Sequence, residues 1–60
     1  MMNLEINILQ NDVGYTVQLN GEIDAYTASD LKNKIMPIAS EKEVYIVVDF
    51  NKVYKFRLMF

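Results

Sequence analysis

Apolar and polar positions alternate from Asn3 to Leu9. Leu4, Ile6 and Ile8 fall on one side, and Asn3, Glu5 and Asn7 on the other. A period of two is that of a β-strand with one buried face. Gln10-Asn11-Asp12 interrupts the pattern with residues suited to a turn. Tyr15, Val17 and Leu19 then alternate with Thr16, Gln18 and Asn20, so the two runs predict an antiparallel hairpin. Asn20-Gly21 is expected to close the second strand, with the glycine supplying a positive φ or a bulge. Glu22-Ile23-Asp24-Ala25-Tyr26 reads as a short mixed connector. Thr27 is the predicted helix N-cap, accepting from the Asp30 amide. Thr27-x-x-Asp30 has the spacing of a capping box and would set the Asp30 carboxylate in the first turn. Ala28, Leu31, Ile35, Ile38 and Ala39 follow at helical spacing, with Lys32, Asn33 and Lys34 on the other face. Pro37 lacks a backbone donor and crowds the preceding turn. It predicts a kink, or a helix ending near Met36 and a short turn restarting at Pro37.

Glu41-Lys42-Glu43 is a charged break. Val44 to Phe50 is almost wholly apolar and rich in β-branched residues, as in a central strand buried on both faces. Its position after a helix predicts a β-α-β crossover and a parallel neighbour. In the tail, Tyr54, Phe56, Leu58 and Phe60 alternate with Lys55, Arg57 and Met59. Taken alone this is a further amphipathic strand, with an apolar edge open to pairing or aggregation.

Composition narrows the chemistry. Sixty residues make one small domain, and a chain of that size buries only about 60% of the surface its unfolded form exposes. Cysteine and histidine are both absent. There is thus no disulfide framework, no thiolate metal site and no Ser-His-Asp or Cys-His centre. The expectation is a protein that is not an enzyme and needs no cofactor. A net charge of −2, with the basic residues spread out, lacks the footprint of a nucleic-acid binder. The N-terminus has neither the basic region nor the apolar run of a signal peptide. No stretch approaches the roughly 20 apolar residues that span a bilayer. These readings lead to an expected cytoplasmic location with no membrane partner.

The segment Asn20-Gly21-Glu22-Ile23-Asp24-Ala25-Tyr26-Thr27-Ala28 resembles the signature loop of STAS-domain anti-sigma factor antagonists of the general-stress, sigma-B type. The likeness extends to the preceding hairpin, to Leu31-Lys32-x-Lys34-Ile35-x-Pro37-Ile38-Ala39, to Val44–Phe50 and to Asn51-Lys52-Val53. It spans roughly residues 2 to 53, about the first half of a family domain. Gly-Glu-Ile-Asp before an Ala/Tyr/Thr cluster is fairly specific when β-β-α-β order surrounds it. The resemblance implies an α/β fold, a truncated STAS-like β-β-α-β unit in which the tail would add an extra strand. It also implies a binding switch. Family members bind an anti-sigma factor that is a serine kinase, release a sigma factor and so regulate stress transcription. Phosphorylation of the antagonist ends the contact by adding charge to a packed interface.

After Val53 the family continues to an Asp-Ser-Thr-Gly loop. Here Tyr54 to Phe60 follow instead, and the serines, Ser29 and Ser40, lie outside any such motif. No phosphorylation site is carried over, and 54–60 is read as a divergent tail. The function expected from the resemblance is therefore impaired antagonism. The alternatives are a truncated or frameshifted remnant without function, and a small protein that associates with itself through its exposed core or tail edge.

The contact residues implied by the resemblance are Glu22, Asp24, Tyr26 and Thr27. Against this, Glu22 and Asp24 could simply solvate a turn, Thr27 could serve only as a cap, and Tyr26 could pack beneath the connector. Asn51, placed just past a buried strand where open α/β sheets bind ligands, is a further candidate, or a plain turn residue. Glu22, Asp24 and Asp49 lack the spacing of a calcium loop.

Overall fold

The computed structural model describes residues 3–41 and 43–57. Strand β1 (Leu4–Gln10) turns into β2 (Gly14–Ile23), helix α1 (Ala25–Ala39) follows, and β3 (Tyr45–Phe56) returns to the sheet. The β-β-α-β order expected from the sequence is the one observed. Among the described residues the sheet has three strands in the order β1-β2-β3. Strand β2 runs antiparallel to β1 and parallel to β3, which is the predicted hairpin followed by the predicted crossover.

The turn is built by Asn11. Its Oδ1 accepts from the backbone N–H groups of Val13 and Gly14 at 3.0 and 2.9 Å. Its own N–H donates to the Gly14 carbonyl at 2.8 Å. An asparagine that satisfies its own turn in this way fixes the register. Leu4 stands opposite Gly21, Ile6 opposite Leu19 and Ile8 opposite Val17. One face of the hairpin thereby collects the apolar side chains. Leu4, Val17, Leu19 and Ile23 form the buried core. Ala28, Leu31, Ile35 and Ile38 of α1 and Ile46, Val48 and Val53 of β3 pack against it. The predicted helical stripe is thus the observed one except for Ala39, which is exposed.

Gly21 has φ +130°, and a Cβ there would lie 2.1 Å from the Asn3 carbonyl oxygen. Only glycine permits this backbone this close to β1. The residue does not close the strand, however: β2 runs on to Ile23. The expected connector shrinks accordingly to Asp24.

The helix also differs in its ends. Its N-cap is Asp24, not Thr27, and Thr27 is the third helical residue. Asp30 therefore lies beyond the first turn. Starting the helix earlier lets Asp24 and Thr27 satisfy each other, which the Thr27/Asp30 pairing would not. Pro37 neither ends the helix near Met36 nor forces a restart, because α1 continues to Ala39. It sits in the last turn, so it removes the one donor to the Asn33 carbonyl, and only Ile38 and Ala39 continue the helix beyond that defect. Ser40 closes this end, donating from Oγ to the Pro37 carbonyl at 2.8 Å and from N–H to the Met36 carbonyl at 3.2 Å.

The largest departure is β3. The expected central strand is an edge, and the expected break at Asn51 is absent. One 12-residue strand covers both the apolar run and the start of the tail. The centre belongs to β2, which the tight hairpin and the crossover together supply with a neighbour on each side. Val44 to Phe50 is apolar enough for burial on both faces, but Tyr45 and Val47 are 70% and 60% exposed. Two register shifts mark β3, one beside Gln18/Asn20 and one beside Gly21/Glu22. Each inserts an extra residue on the β3 side. Among the described residues no fourth strand forms, and Leu58, Met59 and Phe60 lie outside them.

Candidate functional site

The chain crosses from sheet to helix at one end of β2, and Asp24 organises this crossing. Its Oδ1 accepts from the N–H groups of Tyr26 and Thr27, both at 2.9 Å. Thr27 Oγ1 in return accepts from the Asp24 N–H at 2.8 Å. The hydroxyl hydrogen has the Glu22 carbonyl within reach at 3.0 Å. Four polar groups of a tight connector are satisfied without water, which is a reciprocal capping box joined to the end of β2. Hydrogen bonds from Thr27 hold the Asp24 carboxyl below its ordinary pKa, helped by the Tyr26 N–H and the positive charge of Arg57 and opposed by partial desolvation.

The predicted site residues separate into three groups. Glu22 is half-buried at the end of β2, and its N–H donates to the Asn3 carbonyl at 2.8 Å. Asp24 is half-buried at the cap, and beside it Tyr26 is 84% exposed, presenting its ring to solvent rather than packing under the connector. These residues lie together. Thr27 is 5% exposed, with its hydroxyl engaged in the cap. It positions Asp24 more than it presents a surface. Asn51 is exposed but stands within β3, not in a turn. Its N–H donates to Asp49 Oδ1 at 2.9 Å where the register slips. Four residues along the strand separate it from Lys55, roughly 13 Å at the usual rise, so it stands apart from the connector.

Two residues outside the predicted set join the site. Lys55 pairs with Glu22 in the parallel register, and the Arg57 N–H donates to the Ile23 carbonyl at 2.7 Å. Glu22, Ile23, Asp24, Lys55 and Arg57 surround a shallow depression of about 50 Å3. The connector is therefore a patch of both charges beside an exposed aromatic ring, not an acidic loop. Read locally, Lys55 and Arg57 are only the polar side of an alternating tail. The parallel register carried through two bulges is what brings them to Glu22.

A larger open concavity, about 460 Å3, lies along β3 and is lined by Phe50, Val53, Tyr54, Lys55 and Phe56. Among the described residues no three acidic, histidine or cysteine side chains are grouped to hold a metal ion, so Glu22, Asp24 and Asp49 do not converge. Among the described residues no helix is long and apolar enough to cross a membrane.

A three-stranded mixed sheet in β-β-α-β order, with one helix, is consistent with a truncated STAS-like α/β unit. No protein-family model matches the chain. Over 40 residues the chain is 38% identical to the anti-sigma-B factor antagonist of Bacillus subtilis (strain 168). The match takes in 67% of this chain and 37% of that protein, so the chain spans little more than a third of the relative's length. This similarity supports a STAS-type anti-sigma factor antagonist, in its N-terminal part only.

Proposed function

We propose that this chain acts by binding: it contacts an anti-sigma factor of the serine-kinase type through the connector, and so favours release of a sigma factor in stress transcription. The supporting observation is the connector itself. Asp24 is locked at the helix cap by three hydrogen bonds shared with Tyr26 and Thr27, and Tyr26 projects beside it almost fully exposed. A rigid backbone presenting an aromatic ring between charges of both signs suits protein recognition, since little order remains to be imposed on binding. The similarity to an anti-sigma-B factor antagonist supports an anti-sigma factor as the class of partner. In this reading Glu22, Asp24 and Tyr26 make the contact and Thr27 holds them in place. No catalytic step is involved, and the contact takes place in the cytoplasm, where sigma factors act. Affinity is expected to fall below that of the relative, because the apolar surface uncovered on β3 beside the connector favours competing association.

Titration of purified anti-sigma-B factor with the 60-residue chain, followed calorimetrically, tests the proposal. Saturable binding that Asp24→Lys abolishes and Lys34→Ala leaves intact is the expected result, because charge reversal acts at the interface and Lys34 lies on the helix. Absence of binding by a folded chain rejects the proposal. Equal affinity of the Asp24→Lys variant rejects the connector as the contact surface.

A further inference from the structure

Strand β3 presents a long free edge. On its outer side no described strand pairs with it, and Tyr45, Val47, Phe50, Tyr54 and Phe56 are all more than half exposed. Such an edge is a template for another strand. We propose that its occupant is β3 of a second copy of this chain, running antiparallel about a twofold axis between Phe50 and Asn51.

The arrangement of charge along the strand selects this occupant and this direction. The approach to β3 carries Glu41-Lys42-Glu43, whereas its second half carries Lys52 and Lys55 and is followed by Arg57. Parallel pairing would set like charges side by side. Antiparallel pairing sets the acidic approach of each copy against the basic end of the other, and the twofold repeats the match.

The central rungs agree in detail. With the axis between Phe50 and Asn51, Asp49 of each copy stands opposite Lys52 of the other, and Val48 opposite Val53. Directly opposed residues must share a face of the sheet. Val48 and Val53 do: both pack toward the helix against the buried core. Asp49 and Lys52 also do: they line one shallow hollow on the open face with Gln18 and Asn20. The bulge between them makes this parity work, because residues three apart on a regular strand would face opposite ways. Bulges commonly protect an edge from pairing. Here the inserted residue lies at the twofold, where each copy disturbs the ladder at the same point.

The test is sedimentation of the 60-residue chain across a concentration series, with the single variants Asp49→Lys and Lys52→Asp and their equimolar mixture. The unmodified chain is expected to form a dimer. Each variant alone opposes like charges twice, and its dimer dissociation constant should rise about tenfold. In the mixture every opposed pair is again Lys with Asp, so a heterodimer should form with near-original affinity. Its recovery also shows that both variants fold. Two results overturn the proposal: a chain that stays monomeric at all concentrations, or association that neither variant weakens. If both variants weaken association but the mixture fails to recover it, the register is wrong. Lys52→Asp touches no side-chain hydrogen bond of the bulge, so its circular dichroism serves as the control for folding.

Discussion

Strands β2 and β3 lie side by side, and their sequences exchange the roles they play. β2 alternates apolar with polar residues, the pattern of a strand buried on one face, yet it lies at the centre with Val17 and Leu19 at 0% and 2% exposure. β3 opens on Tyr-Ile-Val-Val, the most continuous apolar run in the chain, yet it is the edge. A strand's composition reports how much surface it can bury. Its place in the sheet is set by connectivity, by which elements reach it through short turns and crossovers. β2 is reached from both directions. Among the described residues β3 is reached from one, and its surplus apolar surface stays exposed.

The sharpest way to break this contrast is at Gly21, which stands opposite Leu4 of β1. A side chain there meets the Asn3 carbonyl, and φ +130° strains any residue but glycine. The strain alone costs about 3 kcal/mol for a β-branched side chain, and the backbone collision adds to it. A chain of 60 residues has roughly 3–9 kcal/mol in total. Gly21→Val should therefore abolish cooperative urea unfolding. A variant that still unfolds with an unchanged midpoint would show that the approach of β1 to Gly21 does not hold the sheet together.

A paired truncation measures the contrast directly. Val17 is fully buried and Val47 is 60% exposed, on neighbouring strands. Val17→Ala removes two methyl groups from a packed core and should cost about 2 kcal/mol. Val47→Ala should stay within about 0.5 kcal/mol when measured at a concentration too low for association. Equal losses would mean that β3 is buried on its open side too, and would place it nearer the centre than the structure does.

Much of this architecture is legible in the chain. The alternation in Asn3–Leu9 and Tyr15–Asn20, the turn residue Asn11 and the stripe Ala28-Leu31-Ile35-Ile38 give the hairpin, the helix and their shared core, because each depends on a local period. The helix start is less legible. Asp24-x-x-Thr27 and Thr27-x-x-Asp30 both have capping spacing, and only the end of β2 at Ile23 selects the first. The role of β3 is not legible locally, since edge and centre differ in their neighbours rather than in the strand itself. The site shows the same division. Glu22, Asp24 and Tyr26 are adjacent in sequence and adjacent in space. Lys55 and Arg57 join them through a parallel register, whereas Asn51, placed by analogy with a strand end, falls in mid-strand.

The smallest effect tests where the two strands communicate through charge. Asp24 follows the end of β2 and Arg57 follows the end of β3, and both act on one carboxyl. Asp24 titrates below the ordinary range because the Thr27 hydrogen bonds hold its ionised form, with Arg57 the weakest contributor. A carboxyl whose pKa is depressed by folding stabilises the fold above its unfolded pKa, about 3.9. That contribution is lost as pH falls below this value and through the folded pKa. An NMR titration of the Asp24 carboxyl should show the depressed midpoint. Arg57→Ala should raise the midpoint slightly and leave most of the depression in place. Thr27→Val, which removes the 3.3 Å contact of the Thr27 hydroxyl with Asp24 Oδ1 but keeps the backbone donor, should raise it more than the loss of Arg57 does, since a direct hydrogen bond is screened less than a charge across an exposed surface. If Arg57→Ala alone restored the ordinary carboxyl pKa, the connector would be held by the end of β3 rather than by its own cap. The rigidity assigned to Asp24 and Tyr26 would then depend on the edge strand.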